Sequence, residues 1–234
     1  MAVLTVDGVL DTDNAVALRE RIIKAASEEP SAVVVNVSTL KVPAESTWTT
    51  FIGAHWQVPA KPHVPIVLVC TRRAARDAIT RAGVAHFLPV YSSEKAAMKA
   101  HGQHSGHTVR RADAQLPTDL TSLRESRRLV REWLTAWSQP MLIPVALVVV
   151  NVFVENVLEH TASVPVMRIE SQGTTATIAV SDGSNAAALR LPSPASGIDV
   201  SGLAIVDALS RAWGSTPTAA GKTVWAVIGP ENQL

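Results

Sequence analysis

Three histidines, His101, His104 and His107, recur at every third position, so their imidazoles could share a metal ion. Gly102 and Gly106 lie among them and argue against a rigid helix presenting the rings together. The segment therefore reads as solvated linker. The single cysteine, Cys70, closes the apolar run Ile66-Val67-Leu68-Val69-Cys70. It has no partner for a disulfide within the chain and reads as a buried small hydrophobe. Ser122 and Glu125 match the S-x-x-E capping box that opens a helix. Asp182-Gly183 is a turn signal.

These residues need a scaffold. The chain has 234 residues, enough for one large domain or two small ones. Hydrophobic residues make up 47% and charged residues 18%, which excludes disorder for most of the length. Lys plus Arg number 21 and Asp plus Glu 20, a net charge of +1. That balance gives no electrostatic footprint for nucleic acid and no polybasic signal for a membrane. Aromatic residues are 4%, too few for a base-stacking surface. The first residues, Met1–Asp7, show neither a basic nor a long apolar leader, and with the lone cysteine they point to a cytoplasmic protein. The longest apolar run, from Met141 to Val154, holds Pro144 and Asn151 and falls short of the roughly 20 residues of a membrane span. It reads as a core helix.

The first hundred residues alternate strand and helix patterns. Strands are expected over 4–10, 32–37, 64–70 and 88–90. Helices are expected from an Asp13 or Asn14 cap to Ala25, from Glu45 or Ser46 to Pro59, over 74–82 and over 93–100. Such alternation predicts one sheet with helices packed on it. Residues 101–117 have linker composition. Beyond them come a helix from Ser122, a helix over 144–160, strands over 164–170 and 174–181 joined at Gly173, a loop over 184–201, a helix over 202–212 and a strand over 223–228. That order predicts an α+β layer sandwich. The expected organisation is residues 1–100, a linker over 101–117, and a second domain over 118–234.

The first domain resembles a STAS domain, the fold of anti-sigma-factor antagonists. The likeness rests on Gly8-Val-Leu-Asp11 before a helix, Val33-Val-Val-Asn-Val-Ser-Thr-Leu40, and Gly83-Val-Ala-His-Phe-Leu-Pro-Val90. In that family a strand ending D-L-S leads to a D-S-S-G turn whose first serine is phosphorylated by a partner kinase. Here the strand ends Asn36-Val37-Ser38 and the turn reads Ala44-Glu45-Ser46-Thr47. Ungapped counting puts Glu45 at the phosphoacceptor position; a one-residue shift would put Ser46 there. A carboxylate at a helix start can mimic part of a phosphate's charge, and it is also ordinary capping.

The second domain resembles the ATP-binding domain of anti-sigma-factor serine kinases, an α/β two-layer sandwich of the Bergerat type. The matching helix is Asn151-Val-Phe-Val-Glu-Asn-Val-Leu-Glu-His-Thr161. The resemblance implies a Mg²⁺-binding role for Asn156, with His160 one turn further on the same face. The family's general-base Glu is replaced by Val152, and an alkyl group cannot accept a proton. Glu155 projects about 60° away from Val152 and does not replace that base. Val180-Ser-Asp-Gly-Ser184 resembles the adenine-binding turn, with Asp182 as acceptor of the adenine amino group and Gly183 permitting close approach. Val200-Ser-Gly-Leu-Ala-Ile-Val-Asp207 keeps Gly202 of the phosphate-facing helix start, with Val200 and Ser201 in place of the family's Gly and Arg. Arg211-Ala-Trp-Gly214 and Gly221-Lys-Thr-Val-Trp225 match the closing motifs, and Thr223 is expected near adenine.

The two resemblances imply a bacterial partner-switching regulator of transcription or stress response. It would bind a sigma factor or a STAS or anti-sigma partner, with docking of STAS on kinase-like domain within or between chains. ATP or ADP with Mg²⁺ is expected to bind weakly or not at all. The altered base and acceptor positions, Val152 and Glu45, favour binding over catalysis; the alternative is an active serine kinase acting on a STAS domain. A nucleotide-sensing module unrelated to transcription is a third reading.

Overall fold

The computed structural model describes residues 1–58, 64–103, 109–184, 202–218 and 220–232. The chain divides into two compact units, Met1–Gly106 and His107–Leu234.

In the first unit, strands β1 (Ala2–Thr5), β2 (Val33–Asn36), β3 (Ile66–Val69) and β4 (Val90–Tyr91) form a parallel sheet in sequence order. β2 and β3 are continuous β-branched and aliphatic runs because both faces of a parallel sheet are covered. On one face Val34, Val67 and Val69 pack with Ala97 of helix α4 (Glu94–Gln103). The alternate residues Val33, Val35 and Leu68 are fully buried on the other. Helix α1 (Thr12–Ser27) packs on α2 (Thr49–Gln57), and Ile22, Phe51 and Ile52 are completely buried. Helix α3 (Arg73–Arg81) precedes β4.

Two local details differ from expectation. Asp11, rather than Asp13 or Asn14, caps α1: its Oδ1 accepts the Asp13 and Asn14 N–H groups at 3.1 and 3.2 Å, and Asn14 Oδ1 accepts the Asp11 N–H in return. The helix expected from Glu45 begins as a 3-10 turn, Glu45–Trp48, and becomes α-helical at Thr49.

The second unit is an antiparallel sheet in the order β5-β6-β7-β9-β8. Its strands are β5 (Arg110–Gln115), β6 (Val166–Gln172), β7 (Thr175–Asp182), β8 (Ala212–Pro217) and β9 (Lys222–Ile228). Gly173 turns β6 into β7 with φ +60°, a conformation glycine adopts without a Cβ penalty. Helices α5 (Thr121–Ala136), α6 (Ile143–His160) and α7 (Gly202–Leu209) contribute Leu129, Val130, Val149, Phe153, Leu203 and Val206 to a core shared with Met167, Ile169, Ile178, Val180, Val224 and Ala226 of the sheet. Residues 140–160 are long and apolar enough to cross a bilayer, but eight residues of α6 are buried, packed on α5, α7 and the sheet. The core-helix reading fits that packing.

The segment expected as linker over 101–117 holds the end of α4 and all of β5. The inward residues of β5 are Ala112 and Ala114, opposite Ile169 and Met167, so its apolar alternation is carried by alanine alone. Strand β8 was likewise unexpected, and α7 ends at Leu209 rather than Ala212. The Ser122 capping box does not form. Ser122 is buried and donates to the Pro117 carbonyl, Glu125 pairs with Arg128, and Asp119 Oδ1 accepts the Thr121 N–H at 2.8 Å. His104, His107 and the 185–201 part of the expected loop, with Val200 and Ser201, lie outside the described residues.

Candidate functional sites

In a parallel sheet, side chains beyond the carboxyl ends of the strands are the ones placed to meet a ligand or partner. At that edge of the first unit, Asn36 Nδ2 donates to Glu94 Oε1 at 2.7 Å, and Asn36 Oδ1 accepts the Ser38 N–H at 3.1 Å. Ser38 Oγ accepts the Thr71 N–H at 3.1 Å, and Arg72 Nε donates to the Ser38 carbonyl at 2.8 Å. These bonds tie the ends of β2 and β3 together.

Glu45 is the first residue of the 3-10 turn, and its N-cap, Ala44, offers no side-chain acceptor. Arg81, the last residue of α3, pairs with the Glu45 carboxylate; Nε lies 3.3 Å from Oε2 and an Nη group meets Oε1. The hydrogen bonds from Arg81 hold the Glu45 carboxyl below the usual carboxylate range and push the Arg81 guanidinium up. Ser46 is exposed, its carbonyl accepting the Thr49 hydroxyl at 2.7 Å. Trp48 is buried and meets Phe51 with ring centroids 5.8 Å apart, which anchors the far end of the turn. Position 45 thus carries a fixed negative charge with its own cation.

In the second unit, Val152 is 7% exposed and points at the start of α7. A Cβ built on Gly202 would lie 2.8 Å from Val152 Cγ1, so glycine is what allows the two helices to approach there. The space next to α7's first residue is filled by an alkyl group. Asn156, one turn on, is partly buried, and His160 ends α6 exposed. Among the described residues neither makes a hydrogen bond or ion pair to Asp182 or Gly202, and no three His, Cys, Asp or Glu side chains gather as a metal site.

Asp182 ends β7 and its side chain is 3% exposed. Its Oδ1 accepts the Ser184 N–H at 2.7 Å and Lys222 Nζ at 3.0 Å, and its Oδ2 accepts Lys222 Nζ at 2.9 Å. Gly183 donates its N–H to Ser163 Oγ at 2.9 Å, and Ser163 Oγ lies 2.8 Å from the Thr161 hydroxyl. A Cβ on Gly221, at φ +154°, would collide with the Asp182 carbonyl, so the chain passes over the turn only as glycine.

Thr223, expected near adenine, does not stand beside Asp182. Asp182 pairs with Lys222 across the β7–β9 ladder and Ser181 pairs with Thr223. Val180 and Val224 face the helical core, so by strand alternation Asp182 and Lys222 share that face and Thr223 points to the opposite one. There its hydroxyl lies 2.7 Å from Ser181 Oγ. The side chain that meets Asp182 is Lys222, which sequence reasoning passed over. As it stands, the turn does not fit an adenine amino group, because its acceptor is engaged from within.

Comparison with known proteins bears on the first unit. Residues 1–97 match the STAS domain family model. The parallel sheet with its helices, the Glu45 turn among them, is the part of the chain that carries this match. No curated protein matches the chain. Among solved structures, an anti-sigma factor antagonist from Mycobacterium paratuberculosis is 21% identical, with 43% of this chain and 84% of that one covered and a TM-score of 0.37. The RsbU and RsbW domains of Rv1364c from Mycobacterium tuberculosis are 20% identical over 51% of this chain and 32% of that one, TM-score 0.40. The unphosphorylated anti-sigma factor antagonist SpoIIAA is 18% identical over 43% of this chain and 87% of that one, TM-score 0.35.

Proposed function

We propose that this STAS-containing chain is a cytoplasmic partner-switching regulator that acts by binding, and that its second unit is a degenerate relative of the Bergerat-type serine kinases. The observation that carries the reading is Val152, buried against Gly202 where the resemblance calls for a general base. Loss of general-base catalysis costs typically 10²–10⁴-fold in rate, so phosphate transfer is not the function this arrangement supports. Glu45 supports the same reading from the other unit. It sets a permanent carboxylate at the turn where a phosphoacceptor is expected, with Arg81 beside it. The partner is a sigma factor, an anti-sigma factor or another STAS domain.

The test is to incubate the full chain with Mg-ATP labelled at the γ-phosphate and a separate STAS domain bearing a serine acceptor. Association with a sigma, anti-sigma or STAS partner, measured by calorimetry, without label transfer is the expected result. Robust transfer to the serine acceptor, or to Ser46 or Thr47 of this chain, would overturn it in favour of an active kinase.

A further inference from the structure

We propose that Lys222 is a built-in occupant of the Asp182 carboxylate, an autoinhibitory contact that the amino group of an aminopurine nucleotide must displace. The inference rests on the reading of Asp182 as the acceptor for adenine. A carboxylate offers about four lone-pair sites. Three are taken: two by Lys222 Nζ, at 3.0 and 2.9 Å, and one by the Ser184 N–H at 2.7 Å. The fourth belongs to a side chain that is 3% exposed, so no oxygen is left facing a ligand.

The surroundings hold the lysine in place. The ladder sets it directly across from Asp182, and Gly221 lets the chain pass against the Asp182 carbonyl just before it. The Gly221 carbonyl accepts the Thr218 N–H at 2.8 Å, which fixes the approach to β9. The Lys222 side chain is 11% exposed, so its ammonium can reach water if it swings away. Adenine and the ammonium are both donors competing for one acceptor. A purine carrying a 6-oxo group in place of the amino group presents an acceptor there, which a carboxylate repels, and its nearest donor, N1–H, is one ring position away. Nucleotide discrimination therefore reports whether the acceptor is occupied.

The experiment is a calorimetric titration of the full chain with ATP and with ITP, repeated for Lys222→Met, Asp182→Asn and the double variant. The unmodified chain should bind ATP and ITP within twofold of each other, including the case in which neither is detected. Lys222→Met should bind ATP at least tenfold more tightly than the unmodified chain and prefer ATP over ITP, and the double variant should lose that preference. A tenfold preference for ATP in the unmodified chain overturns the proposal, and this holds even if Lys222→Met fails to fold. No gain of ATP binding in folded Lys222→Met overturns it as well; if Asp182→Asn alone then weakens ATP binding, the adenine reading of Asp182 survives. Equal gains for ATP and ITP in Lys222→Met overturn that reading, and the proposal with it.

Discussion

Arg211 donates to Glu231 through a guanidinium nitrogen 2.6 Å from Oε2, and this hydrogen bond brings the Glu231 carboxyl down to about 2. An unperturbed glutamate titrates near 4.3. The folded form therefore binds the proton less well than the unfolded chain. The pair's contribution is fully present above the ordinary glutamate range and is lost as pH falls from there toward 2. Glu45, held low by Arg81, follows the same direction. An NMR titration should show the Glu231 midpoint moving up toward the ordinary value in Arg211→Gln, and the Glu45 midpoint moving up in Arg81→Gln. Both pairs lie at the surface, so the melting temperature at neutral pH should barely change. The buried pair behaves otherwise. Asp182→Asn leaves the Lys222 ammonium without its carboxylate and should cost about 3 kcal/mol, measured by denaturant unfolding. Unchanged stability would mean that the ammonium escapes to water at no cost.

Between α6 and α7 the contact is set by one missing side chain. Gly202→Ala drives a methyl group into Val152 and should destabilise the chain by about 1–3 kcal/mol. Val152→Ala vacates the same space, so the double variant should be less destabilised than the sum of the two, a coupling that a double-mutant cycle measures. Much of the element layout was legible from the residues. Strands β2 and β3 are uninterrupted β-branched runs, and α6 is bounded by Pro144 and its apolar period. Edge strands were not legible: β5 turns only Ala112 and Ala114 inward, and β8 carries Gly214, Ser215 and Pro217. The pairings at Asp182 and Glu45 were not legible. Asp182 and Lys222 are 40 positions apart, and only the register of β7 on β9 decides whether Lys222 or Thr223 shares the aspartate's face. Arg81 meets Glu45 across 36 positions for the same kind of reason: the packing of α3 beside the turn is tertiary.

At the scale of the whole chain, the buried core that joins α5, α6 and α7 to the antiparallel sheet is built, among the described residues, from Leu116 to Ile228, with Ala114 of β5 packed against it. The parallel sheet has its own buried layers on both faces. A unit with its own core meets the requirement for folding alone. Residues 1–106 and 107–234, expressed separately, should each retain helix and strand signals in circular dichroism and unfold cooperatively on heating. A fragment that is unfolded in isolation would show that its core is incomplete without the other unit.

The contact between Val152 and Gly202 also bears on how readily this protein could change its chemistry. Every valine codon becomes an aspartate or glutamate codon through a single change at its middle base, so an acidic residue at position 152 is always one mutational step away. The compensating step is not available. Position 202 already holds the smallest residue there is, and no further substitution on α7's first position can make room for a carboxylate and its water. An acid at 152 would need the α7 backbone to shift outward at the same time. What keeps the alkyl group in place is therefore crowding rather than genetic distance.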